Sequence, residues 1–490
     1  MPNLKQKVAK GAVWTLCEKL SCQAVGFVVS MVLARLLTPT DYGTVALTAI
    51  FFAVANVLVD GGFGNALIQK KDADDLDFNS VFYLNLSLSA VAYVGLFLAA
   101  PWIADFYHLP ILKSLLRVIG LTLIINALFT IQVTRLTSMV NFKLQAKVSV
   151  ANCVITGCTG IALAYFGYGV WALVGQQLMS CVFSTVAYWS LSGWHPQLLF
   201  SGKSFKELFG FGSKILLASC LHTVYTNISP LIVGRKYTAA DLGFYSRGDS
   251  LASLPGGIFQ STLGRVLFPV LASIQDDQQR LVAAYNKYLR LMTSIVAPAM
   301  LLLAACSEPL IRLLIGEKWL PCVPYLQLLA IGWLVDPIIV VNLNILYVKG
   351  RSDVVLRLEV IKKLIAIAIV VTAVQFGVIW LCVGRVVYGY IALVINLNAC
   401  GPFIGMSFWR QMREVWAIYV GAAFAAVCAY LSVCFFGSVH VAGSGWLTNL
   451  VSLVVSGCVG VGCYVVWAYG FKFDIIPEVR MIVHKIRMRM

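Results

Sequence analysis

The sequence predicts an all-α, polytopic membrane protein of about 14 transmembrane helices: two six-helix bundles arranged as parallel repeats, then an additional helix pair. Three observations predict it. Of 490 residues, 60% are hydrophobic and only 12% charged, against roughly 25% charged in an ordinary soluble chain, so lipid or other helices must solvate most of this one. The apolar residues come in long runs, and about 20 of them cross a bilayer. Finally, Arg35-x-x-Thr38-x-x-Asp41-x-Gly43 recurs as Arg235-x-x-Thr238-x-x-Asp241-x-Gly243, and Gly64 matches Gly264 in the same register. Long internal repeats in so apolar a chain are a hallmark of transporters.

The first helix follows a basic start, Met1 to Lys10. Its apolar run contains Glu18 and Lys19 and continues to Leu37. That is too long for a signal-peptide core and lacks a cleavage site, so the helix is expected to be retained. Spans follow near Val25, Val57, Val91, Ile124, Ala162 and Val182, which makes residues 1–191 a six-helix bundle. The polar stretch 192–214 reads as a cytoplasmic linker leading into helix 7. Residues 215–400 hold the second bundle, with spans near Ser219, Ile258, Ala299, Ile338, Ala368 and Leu393, the last two joined by a very short connection. Residues 401–490 add spans near Ala425 and Val459 and a basic tail. An even number of spans per half makes the repeat parallel rather than inverted.

The net charge of +16 does not indicate nucleic-acid binding, because the basic residues sort by topology. With the N-terminus inside, Lys5, Lys70, Arg135, Lys147, Lys206, Arg290, Arg351, Lys363, Arg410 and the tail fall on one side. The other side keeps only Arg35, Lys113, Arg235, Lys236, Arg247, Arg312 and Lys318. Such asymmetry follows the positive-inside rule and puts both termini in the cytoplasm. Nearly all 14 cysteines lie in apolar runs, where a thiol behaves as a small hydrophobe. Cys322 alone is expected in an external loop, without an obvious partner. No metal site or disulfide framework is predicted, and no connecting segment can house a soluble catalytic domain.

The repeated signature has a physical reading. Arg35 and Arg235 would end the first helix of each bundle at the outer surface, where a cation suits a helix C-terminus and can snorkel. Asp41 and Asp241 are suited to cap the next helix, and Gly43 and Gly243 permit close backbone approach. The signature therefore serves as a structural hairpin or as an outer gate in which arginine and aspartate pair and separate.

Ionisable residues inside spans cost about 2.5 kcal/mol or more at the bilayer centre, so they should face protein or a wet cavity unless they snorkel from span ends. Lys19, Arg117 and Arg247 are the leading candidates for contact with an anionic ligand, with Arg265 and Arg385 beside them; Glu18, Asp60, Asp249 and Asp336 are candidate carriers of a coupling ion. Pro255-Gly256-Gly257, Pro298 and Asp336-Pro337 are expected to interrupt their spans, as hinges or as fixed kinks.

With these residues laid out, the chain resembles the polysaccharide-transport branch of the multidrug/oligosaccharidyl-lipid/polysaccharide exporter superfamily. The resemblance rests on Gly11-Ala12-Val13-Trp14, on Leu33 to Leu37 through Asp41-Tyr42-Gly43, and on Asp60-Gly61-Gly62-Phe63-Gly64 leading to Gln69. Arg265 to Pro269 leading to Asp277, and Gly316-Glu317-Lys318-Trp319 leading to Leu329, look especially like the colanic-acid exporter group. The resemblance implies a lipid-linked oligosaccharide flippase of the bacterial cytoplasmic membrane, needing no cofactor. Such a protein carries an undecaprenyl-diphosphate-linked repeat unit between leaflets by alternating access, for O-antigen, capsule or exopolysaccharide synthesis. Basic cavity residues would meet the diphosphate while the lipid tail stays among membrane lipids. A coupling cation fits this scheme, as does association with a polysaccharide polymerase or glycosyltransferases. No residue is expected to be catalytic. Two rivals stand: a multidrug/cation antiporter of the same superfamily, which should favour an acidic cavity, and a membrane glycosyltransferase or ligase using an outer carboxylate such as Asp41 or Asp105.

Overall fold

The architecture is that of a computed structural model. It describes residues 4–60, 63–64, 67, 74–139, 142–199, 201, 219–220, 223, 227–438, 445–471 and 473, with the side chains of 4–13, 16, 58–60, 228, 258–266, 269 and 437–438 left out. Among the described residues there are 17 α-helices, one 3-10 helix and no strand. The chain divides into two compact units, Met1–Gly243 and Phe244–Met490.

The first unit contains α1 (Leu4–Leu36), α2 (Pro39–Asp60), α3 (Asp75–Tyr107), α4 (Ile111–Ser138), α5 (Phe142–Tyr165), α6 (Val170–Leu191), α7 (Ile228–Lys236) and the first turn of α8 (Ala239–Ser273). Its helices are delimited by local chemistry. Asp74 and Asp77 form a capping box at the head of α3, the Asp77 N–H donating to Asp74 Oδ1 at 2.8 Å and the Asp74 N–H to Asp77 Oδ2 at 3.2 Å. His108 ends α3 in the left-handed region (φ 54°), with Pro110 just beyond to prevent continuation.

Because lipid supplies no hydrophobic drive between helices, small residues and polar cross-links carry the packing. Gly120 lets the Tyr93 ring lie against α4, and Gly157 admits Val29 of α1 against α5. Asn152 of α5 donates to Ser180 Oγ of α6 at 2.8 Å. The Trp189 indole donates to Leu128 O at 2.8 Å, tying α6 to α4. The start of the polar stretch is anchored as well, since the Gln197 N–H donates to Asn79 Oδ1 at 2.7 Å.

The second unit contains the rest of α8, then α9 (Gln278–Ala305), α10 (Ser307–Leu314), the 3-10 helix Glu317–Cys322, α11 (Val323–Trp333) and α12 (Asp336–Val348). It continues with α13 (Ser352–Ala373), α14 (Val378–Ile404), α15 (Phe408–Arg413), α16 (Trp416–Ser438) and α17 (Gly445–Gly470). Leu281, Tyr285 and Leu289 of α9 pack with Ile338, Val341 and Ile345 of α12 and Leu393 and Leu397 of α14. Inside that core the Tyr285 hydroxyl donates to Gln411 Oε1 at 2.8 Å, and Gln411 Nε2 donates to the Leu397 and Met406 carbonyls, both at 3.1 Å. One amide thus satisfies the backbone where α14 breaks into α15. The final pair packs on α9 through Ile418, Ala422 and Ala425 against Val296, Ala297 and Met300, and the Tyr464 hydroxyl donates to Ser294 O at 2.9 Å.

Eleven helical segments are long and apolar enough to cross a membrane, six before Ser192 and five after Gln278. The expected 14 are therefore not reached among the described residues, for three separate reasons. The run around Ser219 lies largely outside the described residues, and so does most of the 192–214 linker beyond Ser201. The run around Ile258 is the centre of the 35-residue α8, whose middle side chains are not described. The run around Ala368 forms a 22-residue helix, but Arg357, Glu359, Lys362 and Lys363 leave it too charged to qualify by composition.

Two further expectations are corrected. Pro255 and Pro298 lie inside continuous helices and do not interrupt them, whereas Asp336-Pro337 does break its span, separating α11 from α12. Pro337 sits at the head of α12, where a missing N–H costs nothing. Cys322 is not loop-exposed: it ends the 3-10 helix and is fully buried.

Replacing Tyr285 by Phe removes the donor to Gln411 and strands a buried amide oxygen. This variant should lose about 1–3 kcal/mol of stability, read as a lower melting temperature in detergent with the helical circular-dichroism spectrum retained.

Candidate functional site

The repeated signature builds the same helical corner twice. Arg35 lies in the last turn of α1, and Arg235 and Lys236 in the last turn of α7, where cations complement the free carbonyls. The Thr38 hydroxyl and N–H both donate to Asp41 Oδ2, at 2.7 and 2.9 Å, and the Asp41 N–H donates back to Thr38 Oγ1 at 3.3 Å. Thr238 and Asp241 repeat the three contacts at 2.7, 3.1 and 3.2 Å. These are capping boxes, threonine at the cap and aspartate three residues inside. Asp41 and Asp241 do not occupy the cap positions expected of them: they reach back to the cap from the first turn.

Two residues further on, Gly43 and Gly243 bring the heads of α2 and α8 together within the first unit. A Cβ on Gly43 would collide with the Ala239 carbonyl, and one on Gly243 with the Pro39 carbonyl. Each would also lie close to the amide nitrogen of the other glycine, at 2.9 and 3.2 Å respectively. The aspartates are held by their threonines, and the Arg235 guanidinium lies 4.8 Å from the Phe106 ring centroid.

Among the described residues, the intramembrane charges of the first unit do not gather at one point. Glu18 is half-buried and lines a groove of about 570 Å³ between α1 and α5, together with Trp14 and Lys147. Lys19, its neighbour, is exposed and engaged by another group. Arg117 of α4 holds its guanidinium 4.1 Å from the Phe97 ring centroid, a cation–π contact. Among the described residues it has no carboxylate partner, and its buried Nε lacks a hydrogen bond. Asp60 ends α2, and its side chain lies outside the described residues.

The second unit does assemble a cluster. Arg385 Nη1 of α14 donates to Asp249 Oδ1 of α8 at 2.7 Å, and the buried Tyr245, one turn from Asp249, lies within electrostatic reach of Arg385. Trp333, ending α11, places its ring centroid 6.0 Å from the guanidinium carbon, and Asp336 lies within electrostatic reach. Gly256 of α8 makes room for Trp333, since a Cβ there would stand 2.6 Å from the indole. Arg247 is buried, engaged elsewhere, and 6.0 Å from the Trp319 ring centroid. Arg265 is on α8 with its side chain outside the described residues. Of the residues singled out from sequence, the structure thus joins Asp249 and Arg385, with Asp336 in electrostatic reach. It adds Tyr245 and Trp333, which no spacing indicated.

Residues 32–324 match a family described as "Polysaccharide biosynthesis protein". The chain belongs to that family. The resemblance carried by its motifs holds, and its relatives agree. The lipopolysaccharide biosynthesis protein WzxC of Escherichia coli (strain K12) is 26% identical over 84% of this chain and 85% of its own length. The succinoglycan biosynthesis transport protein ExoT of Rhizobium meliloti (strain 1021) is 27% identical over 68% of this chain and 67% of its own. The teichuronic acid biosynthesis protein TuaB of Bacillus subtilis (strain 168) is 25% identical over 72% and 74%. Among solved structures, the lipid II flippase MurJ in its inward closed conformation has a TM-score of 0.75 and covers 95% of this chain and 100% of its own, at 14% identity. At that identity the fold is what the two share. This family member is a multi-pass, all-helical membrane protein.

The corner chemistry is open to test. Thr38→Ala removes one cap and should cost about 1 kcal/mol. Gly43→Ala and Gly243→Ala each drive a methyl into a backbone carbonyl and should cost more, about 1–3 kcal/mol. Apparent melting temperatures of the three purified variants should fall in that order.

Proposed function

We propose that this protein is a flippase that translocates an undecaprenyl-diphosphate-linked oligosaccharide across the bacterial cytoplasmic membrane by alternating access, for surface polysaccharide synthesis. The observation that carries this reading is the polysaccharide biosynthesis family match over residues 32–324, seated on a multi-pass helical fold. A relative named for transport and the fold shared with a lipid II flippase support it. The reading makes the protein a transporter rather than an enzyme, with both termini in the cytoplasm, which the sorting of its basic residues supports.

The reading assigns the intramembrane cations to the anionic part of the lipid carrier. Arg117 is the best supported in the first unit. Its charge rests on an aromatic face without a carboxylate among the described residues, and an intramembrane cation without a counter-ion is costly unless a ligand supplies one. Lys19, Arg247 and Arg265 are assigned the same role, and Glu18, Asp60 and Asp336 are the groups available to carry a coupling cation, with Asp249 joining them only when its pair with Arg385 opens. The hairpin signature serves as a structural corner that joins the heads of α2 and α8. Polysaccharide polymerase or glycosyltransferases would supply and consume the substrate.

Reconstitution in liposomes with a lipid-diphosphate oligosaccharide tests the reading through leaflet exchange of the labelled lipid. Wild-type protein should exchange it, and Arg117→Ala should slow exchange about tenfold or more while remaining folded. Absence of exchange with any glycan, alongside export of small organic cations, would instead identify an antiporter.

A further inference from the structure

The Arg385 cluster has a property that the stability of the fold does not explain. Its ion pair joins two helices of the second unit, yet the side chains of Arg385 and Asp249 remain 41% and 36% exposed. Charges within membrane helices are expensive and mark functional sites, and a pair this open leaves both groups within reach of an incoming ligand. The contact is also single-pronged. Only Nη1 is recorded on Asp249 Oδ1, although a guanidinium offers five N–H donors and binds oxyanions best through two. Trp333 flanks the same arginine, so the guanidinium is bordered by an aromatic face that need not move when its anion changes.

We propose that Asp249 is a built-in occupant of an oxyanion site centred on Arg385, displaced when a phosphate of the translocated lipid binds there. The proposal rests on the flippase reading for the identity of the lipid, but not for the existence of the site. In the empty state Asp249 neutralises Arg385, which lowers the cost of holding a cation among apolar helices. Asp249 already occupies the contact with the cation, so an incoming phosphate does not simply join it. It takes the place of Asp249, and the aspartate withdraws. Asp249 is the occupant that leaves because it is the carboxylate in contact with the guanidinium. Asp249 and phosphate therefore bind Arg385 competitively.

The test uses the full-length protein in nanodiscs of zwitterionic phosphatidylcholine, so that no anionic headgroup competes. Binding of undecaprenyl diphosphate and, separately, of inorganic pyrophosphate is measured for wild type, Asp249→Asn, Arg385→Gln and the double variant. Asp249→Asn should bind both probes about tenfold more tightly, since the internal competitor is gone. Arg385→Gln should bind about tenfold more weakly. The double variant should behave like Arg385→Gln, because removing Asp249 helps only through the arginine. Size-exclusion and melting profiles check folding, and Asp249→Ser takes the place of Asp249→Asn if the latter does not fold.

Unchanged or weaker binding by a folded Asp249 variant would overturn the proposal. So would a gain that persists without Arg385, which would mean general relief of negative charge. If pyrophosphate gives the expected pattern and undecaprenyl diphosphate binds no better than pyrophosphate, the site stands and the lipid reading fails. If undecaprenyl diphosphate binds all four proteins equally well, the lipid reading stands and the site fails.

Discussion

In lipid, every backbone polar group must find its partner inside the protein, and the rest of this structure follows from that constraint. It is why the described residues are almost wholly helical, and why helix ends are furnished so carefully. At the head of α3 two aspartates exchange hydrogen bonds. At the heads of α2 and α8 threonine and aspartate do the same. Where α14 gives way to α15, the Gln411 amide takes up two carbonyls and is itself held by Tyr285. None of these groups is needed to drive helix formation in an apolar medium. They determine where a helix ends and how the next one departs.

Charge obeys the same constraint differently. Exposed pairs such as Arg312 with Glu308 and Glu317 cost little and decide little. Within the helices, three described arginines are accommodated individually: Arg117 on a phenylalanine face, Arg247 beside Trp319, Arg385 between Asp249 and Trp333. Aromatic faces recur because they stabilise a guanidinium without cancelling its charge. The positive charge is thereby tolerated among apolar helices.

Much of the fold was legible in the sequence because hydropathy and charge asymmetry report directly on the solvent a segment sees. Six spans before Ser192, helix ends at Arg35 and Arg235, and the corner after each could all be read from residue types. What failed was what depends on neighbours. Pro255 and Pro298 looked like breaks, but a membrane helix can continue through proline when the surroundings satisfy the freed carbonyl. Cys322 lies in a polar stretch yet is buried by the packing around it. The threonine of the signature was passed over although T-x-x-D is itself a capping-box pattern. Tyr245 and Trp333 carried no signal at all, since an aromatic residue in an apolar run looks the same whether it faces lipid or an arginine.

The contact between the two corners has one more consequence. Gly43 approaches the carbonyl of Ala239, and Gly243 approaches the carbonyl of Pro39, so each copy of the segment offers the other the atoms it receives. That is the geometry of an isologous interface, the kind identical subunits form about a two-fold axis, here written twice into one polypeptide. A self-complementary surface holds only while both copies stay alike. Divergence between them is therefore limited at these positions by shape, independently of whatever each copy does in transport.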